Sequence, residues 1–245
     1  MYAVISDLHA NLPALTAVFE DIDRHGVEEV ICLGDIVGYG PFPAECLRLV
    51  RERATVTLLG NHDEALLSGP LSFSKYAHQV IEWTKTQLPR EDPEVEPLWE
   101  FVADLPLVHE RGRDLFVHGS PSEPTQEYLL PTDDLGSEKY DDVFAGFQRL
   151  CFVGHTHQPC VITPDRRVRM AKELGNEYRL DAEQAVINVG SVGQPRDLDP
   201  RSCYVLVEDD HVQWRRVAYD IDATVARLAE VGLPEQLARR LLSGK

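Results

Sequence analysis

Short apolar runs alternate with amphipathic stretches along the first quarter of the chain. Residues 2–6 form an apolar run, after which Leu15, Val18, Phe19 and Ile22 recur at helical spacing until Gly26 supplies a stop. A second apolar run covers 30–33. The spacing then predicts a helix over 43–53, with Ala44, Leu47 and Val50 on one face, and a third strand over 55–59. Strands alternating with helices imply right-handed crossovers and a parallel sheet, in which ligands bind at the carboxyl ends of the strands.

The pattern changes over residues 63–105, which read as a helical insertion with helices at 74–88 and 95–102 around an acidic, proline-bounded connector. Its aromatic residues Phe73, Tyr76 and Trp83 are assigned to the core. Strands return at 115–117, 150–153, 161–163, 168–170, 185–189, 204–207 and 212–217, with Asp165-Arg166 and Asp209-Asp210 as hairpin turns. Amphipathic helices follow Asp220, with Leu228 and Leu237 on their core faces. No repeat or linker interrupts the sequence, so one domain over residues 1–245 is expected, with the insertion over about 63–105 placed where it could cap the site.

Composition narrows the function by exclusion. With 43% hydrophobic and 27% charged residues, 245 residues can enclose a sizeable core. A formal net charge of -17 repels long nucleic acids and acidic membranes. The five cysteines are scattered among apolar residues, which implies buried, reduced thiols rather than a disulfide framework or zinc knuckle. The N-terminal run lacks a signal-peptide pattern, and no run approaches the roughly 20 apolar residues of a membrane span, so a cytoplasmic protein is expected. A homo-oligomer is left open.

The candidate chemistry lies at the strand ends. Asp7 and His9 follow the first apolar run on alternate positions; Gly34-Asp35 follows the second, and Gly60-Asn61-His62-Asp63 the third. His118-Gly119 closes the run at 115–117, and Gly154-His155-Thr156-His157 closes that at 150–153. Any one of these is ordinary turn chemistry. Five strand ends bearing oxygen and nitrogen donors, with five of the nine histidines among them, form a pattern that core packing would not favour. His25, His78, His109 and His211 are read as surface or boundary residues. His109 rivals His118 as a donor, but a cleaner apolar run precedes His118 and a glycine follows it.

These motifs, D-x-H, G-D, G-N-H-[DE], a later His and G-H-x-H, match in full and in order, and the chain resembles the calcineurin-like metallophosphoesterase superfamily. The resemblance implies an α/β fold: a four-layer α-β-β-α sandwich of two mixed sheets. It further implies two divalent metal ions per chain, one held by Asp7, His9, Asp35 and His157, the other by Asp35, Asn61, His118 and His155. Asp35 would bridge ions roughly 3.5–4 Å apart, and the water between them would attack phosphorus as hydroxide. His62 would protonate the leaving oxygen or stabilise its charge, with Asp63 as the nearby carboxylate that orients it. Imidazole, carboxylate and amide donors without thiolate suit Mn, Fe, Zn, Co or Ni better than Mg or Ca; ligand type does not separate these candidates, among which Mn is favoured.

The chain departs from the protein-phosphatase branch, which carries Asp-Arg where this sequence has Gly38 and Tyr39. It looks more like the small prokaryotic phosphodiesterase branch, although Val189 replaces the proline of the usual N-P-G-S segment. The expected substrate is a small phosphodiester or nucleotide. Arg196 is expected to contact a substrate phosphate beside flexible backbone donors at 190–195, and Tyr39 to stack on an aromatic group. The alternatives are a phosphomonoesterase, including protein phosphatase activity, and a non-catalytic metal-binding scaffold.

Overall fold

In the computed structural model, which describes residues 1–69, 73–180 and 184–245, the alternation within each strand determines the layers. In β1 (Tyr2–Ile5), Ala3 and Ile5 join one core cluster while Tyr2 and Val4 join another. That is the period-2 geometry of a strand buried on both faces.

Two six-stranded mixed sheets result. The first orders β3 (Val56–Thr57), β2 (Val30–Cys32), β1, β11 (Ser202–Val207), β12 (His211–Val217) and β9 (Glu177–Arg179). The second orders β4 (Val108–Arg111), β5 (Asp114–Val117), β6 (Leu150–Val153), β10 (Ala185–Asn188), β7 (Cys160–Thr163) and β8 (Arg167–Met170). The pairs β1–β2, β2–β3, β5–β6 and β6–β10 are parallel, as the strand-helix alternation predicts. The pairs β4–β5, β7–β8, β7–β10, β1–β11, β11–β12 and β9–β12 are antiparallel.

Between the sheets, Tyr2 meets the stacked pair Phe116 and Phe152 edge-on, with ring centroids at 6.1 and 6.3 Å. Each such large side chain contributes about 1.5–3 kcal/mol through burial. Outside the first sheet lie α1 (Leu12–Arg24), α2 (Pro43–Arg53) and α5 (Glu96–Ala103); outside the second lies α6 (Glu138–Ala145), packed through Tyr140 and Val143. The four-layer sandwich is therefore present.

The predicted insertion resolves into α3 (Asn61–Ser68), α4 (Lys75–Gln87) and α5, with residues 70–72 outside the described set. Asn61, His62 and Asp63 form the first turn of α3, so the predicted boundary at Asp63 falls inside a helix. α5 belongs to the outer helical layer rather than to a cap, whereas Val80 of α4 packs on α7 (Ile221–Glu230) and α8 (Glu235–Ser243). Tyr76 is 45% exposed, contrary to its core assignment. The unpredicted β4, β9 and α6 bury few residues and so lack a clear period; β4 is an exposed, charged edge strand.

Candidate metal centre

The strand ends turn sharply at residues that are not glycine. Asp7 (φ 54°), His9 (φ 46°), Asp35 (φ 55°), His155 (φ 63°) and His157 (φ 60°) all adopt the left-handed conformation. Each such residue costs on the order of 1–3 kcal/mol unless its surroundings enforce it. Here the loops lock one another. Asp7 N–H donates to the Gly34 carbonyl at 3.0 Å, Leu8 and His9 N–H both donate to the Asp35 carbonyl at 2.9 Å, and Gly154 N–H donates to the His118 carbonyl at 2.9 Å. Gly154 is needed for this approach, since a Cβ there would lie 2.6 Å from Asp7 Oδ2.

Hydrogen bonding at one nitrogen of each imidazole sets the state of the other. His9 Nδ1–H donates to Val37 O at 3.1 Å, His157 Nδ1–H to Gln194 O at 2.5 Å and His118 Nδ1–H to Leu33 O at 3.1 Å. His155 is reversed, with Nε2–H donating to Gln126 O at 3.3 Å. A carbonyl can only accept, so the opposite nitrogens of the neutral rings carry lone pairs. Those lone pairs face each other: His9 Nε2 and His157 Nε2 are 3.1 Å apart, and His118 Nε2 and His155 Nδ1 are 3.1 Å apart. Asn61 Oδ1 also approaches His118 Nε2, at 3.2 Å. Acceptors opposed at these distances suit a cation.

Asp35 spans the two pairs. Its Oδ1 accepts from His62 N–H at 2.8 Å, while Oδ2 lies 3.7 Å from His9 Nε2 and 3.5 Å from His118 Nε2. Asp7 Oδ1 is 3.2 Å from His157 Nε2, and both Asp7 oxygens accept from His155 N–H. Donor atoms form three overlapping groups: Asp7, His9 and His157 on one side, Asp35, His118 and His155 on the other, and His9, Asp35 and His62 between them. The geometry therefore brings all seven predicted ligands together, each side chain buried.

Burial dominates the electrostatics. It lowers the pKa of all four imidazoles, His155 to about 2 with the neighbouring His118 adding to the effect, so the rings are neutral near pH 7. Burial, then the Asp7 and Asp63 carboxylates, raises the Asp35 pKa. Burial also opposes Asp7 ionisation, but the proximity of His157, whose Nε2 lies 3.2 Å from Asp7 Oδ1, outweighs it and lowers the pKa.

His62 stands beside this cluster, its ring centroid 4.9 Å from that of His9, 4.6 Å from Tyr39 and 4.7 Å from Phe73. Its Nδ1 is buried without a hydrogen-bond partner. The expectation that Asp63 orients His62 does not match the structure. Asp63 instead accepts from the backbone N–H groups of Ile36 (3.0 Å), Val37 (3.1 Å) and Gly60 (3.2 Å), which makes it a clamp on the Asp35 loop. Burial against those hydrogen bonds leaves its pKa at about 6.

Tyr39 is half-buried at the rim, edge-on to His9 at 4.7 Å. The Arg196 guanidinium lies 5.7 Å from the Tyr39 ring centre and donates to Gln194 Oε1 at 3.0 Å. Asp197 and Asp199 pair instead with Arg216 and Arg201, leaving Arg196 without a carboxylate partner among the described residues. His109 packs on Phe116 in β4, away from the cluster.

The calcineurin-like phosphoesterase superfamily domain matches residues 1–211. The chain belongs to this superfamily. It is 37% identical over 254 residues to an uncharacterised protein of Methanocaldococcus jannaschii, covering 100% of this chain and 98% of the other. A metallophosphoesterase from Sphaerobacter thermophilus, known from its crystal structure, is 38% identical, with 100% and 98% of the two chains covered and a TM-score of 0.82. A symmetrical bis(5'-nucleosyl)-tetraphosphatase of Stutzerimonas stutzeri is 33% identical over 138 residues, 53% of this chain and 47% of that one. The chemistry of the superfamily is phosphate-ester hydrolysis, and metal dependence agrees with the clustered donors.

Within this phosphoesterase, several supporting residues lie outside the seven predicted ligands. Buried Asn188 at the end of β10 donates to Gly154 O at 2.7 Å and Thr156 Oγ1 at 2.9 Å, and accepts from Gly190 N–H at 2.9 Å. Ser191 Oγ–H donates to Asp7 O at 2.8 Å, as do the N–H groups of Val192 and Gly193 to Ser6 O and Asp7 O. The backbone donors expected to be free at 190–195 are thus largely committed to the Asp7 loop. Tyr128 stacks on His155 at 3.6 Å from a segment that read as loop. Asn188 was already visible as the first residue of the Asn-Val-Gly-Ser segment; Tyr128 had no signal at all.

Proposed function

We propose that this chain is a dinuclear-metal phosphodiesterase acting on small diesters or nucleotides. The observation that carries the reading is the pair of opposed imidazole lone pairs, His9 with His157 and His118 with His155, bridged by one face of Asp35. Asp7, His9, Asp35 and His157 would hold one ion, and Asp35, Asn61, His118 and His155 the other. The donor set of imidazole, carboxylate and amide without thiolate suits Mn, Fe, Zn, Co or Ni, of which Mn is the working choice. Two such ions supply Lewis-acid activation of water and of the phosphoryl oxygens.

The remaining work falls to the protein's own side chains. His62 is neutral, its pKa lowered by burial and then by Arg196, so it meets a leaving oxygen as an N–H donor. A phosphate anion entering beside it favours the protonated ring and hence full proton transfer. Arg196, free of carboxylate partners among the described residues, contributes one positive charge beside the site, which suits the single charge of a diester. Tyr39 offers a ring face to a base.

The names of two relatives matched over about half of this chain, both symmetrical bis(5'-nucleosyl)-tetraphosphatases, favour a nucleoside polyphosphate among the candidate substrates. A cytoplasmic setting fits five buried free thiols, and among the described residues no helix is long and apolar enough to cross a membrane.

Metal-stripped protein reconstituted with Mn should hydrolyse bis-p-nitrophenyl phosphate faster than p-nitrophenyl phosphate. Faster monoester cleavage would replace the diesterase reading with a phosphomonoesterase, and metal uptake without turnover of either ester would favour a scaffold.

A further inference from the structure

Beyond the rim of the metal centre, Tyr39 and Arg196 form one wall of a cleft of about 370 Å³, and α8 forms the other. The size falls within the range that admits a small ligand. α8 is amphipathic in a way that defines this wall. Leu237 and Leu241 are buried against Val80 and Leu228, whereas Gln236, Arg239, Arg240 and Ser243, spaced at i, i+3, i+4 and i+7, line the cleft. No acidic side chain lines it among the described residues, in a chain whose formal net charge is -17. Arg239 shares its charge with Glu235 at 2.9 Å. Arg240 is half-buried, and neither it nor Arg196 has a carboxylate partner among the described residues.

Unpaired guanidinium groups facing a polar cleft are matched to phosphate, which they bind through charge-assisted hydrogen bonds. The position of the cleft gives the direction of the substrate. Tyr39 touches both His9 and His62, with ring centroids 4.7 and 4.6 Å away, so the cleft adjoins the centre where these two rings meet. On the phosphoesterase reading above, His62 serves the leaving oxygen, so a cleft reached past its ring would receive the departing fragment.

We propose that the cleft between Tyr39, Arg196 and the polar face of α8 is a subsite for a second phosphate carried by the leaving group. The substrate class is then a phosphate ester or anhydride whose departing fragment is itself phosphorylated, such as a nucleoside polyphosphate. Water adds its oxygen to the attacked phosphorus, the bond from phosphorus to the leaving oxygen breaks, and the proton lost by water is balanced by the one reaching the departing oxygen at His62. Arg240 and Arg196 hold the fragment's phosphate meanwhile.

The test compares wild type with Arg240→Gln and Arg240→Glu, using Mn-reconstituted enzyme on diadenosine tetraphosphate and on bis-p-nitrophenyl phosphate. The ratio of the two kcat/KM values should fall about tenfold in the Gln variant, through KM, and further in the Glu variant. Equal changes on both substrates, or none on either, would overturn the subsite. Separately, inorganic tripolyphosphate titrated calorimetrically into the metal-stripped full chain should bind, weaken with salt, and bind at least about tenfold more weakly to Arg240→Glu. Absence of binding, or equal binding to the variant, would count against the subsite whether or not the chain hydrolyses any ester. Wild type lacking turnover but retaining Arg240-dependent binding would instead sink the phosphoesterase reading alone.

Discussion

Asn188 offers a measurable link between the second sheet and the candidate metal donors. Its buried amide donates to Gly154 O and Thr156 Oγ1 and accepts from Gly190 N–H, tying the end of β10 to the loop that carries His155 and His157. Asn188→Ala leaves the Gly154 carbonyl and the Gly190 N–H without these partners in the interior. A buried polar group left unsatisfied costs about 1–3 kcal/mol, so the substitution should destabilise the metal-stripped protein by roughly 2–5 kcal/mol. Urea unfolding of stripped protein measures that cost apart from any contribution of bound metal. Loss of an outer partner of metal ligands also typically lowers affinity by about 10–100-fold, which metal titration would detect in the still-folded variant. A variant within about 0.5 kcal/mol of wild type and with unchanged metal affinity would refute the bracing role.

Other expected outcomes follow from neighbouring geometry. His62→Ala should abolish turnover while leaving metal content unchanged, because none of the opposed donor pairs includes His62; normal turnover would remove its role at the leaving oxygen. Gly38 has φ 89° and a Cβ there would lie 2.9 Å from His62 Cγ, so Gly38→Ala should displace the ring and lower kcat at least about tenfold with metal retained. Steady-state kinetics with elemental analysis would expose a tolerant site if kcat stayed near wild type. Asp21, bonded to Tyr204 and Arg215, has a lowered pKa, since those hydrogen bonds outweigh its burial. Its ionised form therefore stabilises the fold above the unfolded carboxyl pKa of about 3.9, and this stability is lost as pH falls through that value toward the folded pKa. Asp21→Asn should flatten the acid limb of a urea-midpoint profile; an identical limb would contradict the assignment.

The sequence was most legible where backbone and chemistry coincide. Asp7, Asp35, Asn61, His118 and His155 stand at the ends of buried strands, so apolar runs followed by polar donors located them before any coordinates were considered. Layering was also readable, because strands buried on both faces appear as continuous apolar runs. What escaped notice depends on side-chain direction. Asp63 follows His62 in sequence, yet its first-turn position on α3 aims the carboxylate at the N–H groups of Ile36 and Val37. Likewise, the glycine-rich segment at 190–195 looks mobile in isolation, but its donors are occupied by the Asp7 loop across the sheet junction. The cationic face of α8 could be seen as a helical stripe, but only the tertiary fold sets it beside Tyr39.

On the proposed function, the opposed imidazole pairs that share Asp35 hold two ions. Equilibrium dialysis of metal-stripped protein against Mn, followed by elemental analysis, tests it most directly. Two ions per wild-type chain, with loss of high-affinity uptake in Asp35→Ala, is the predicted result; one ion or none per wild-type chain, or full uptake by the variant, would contradict it.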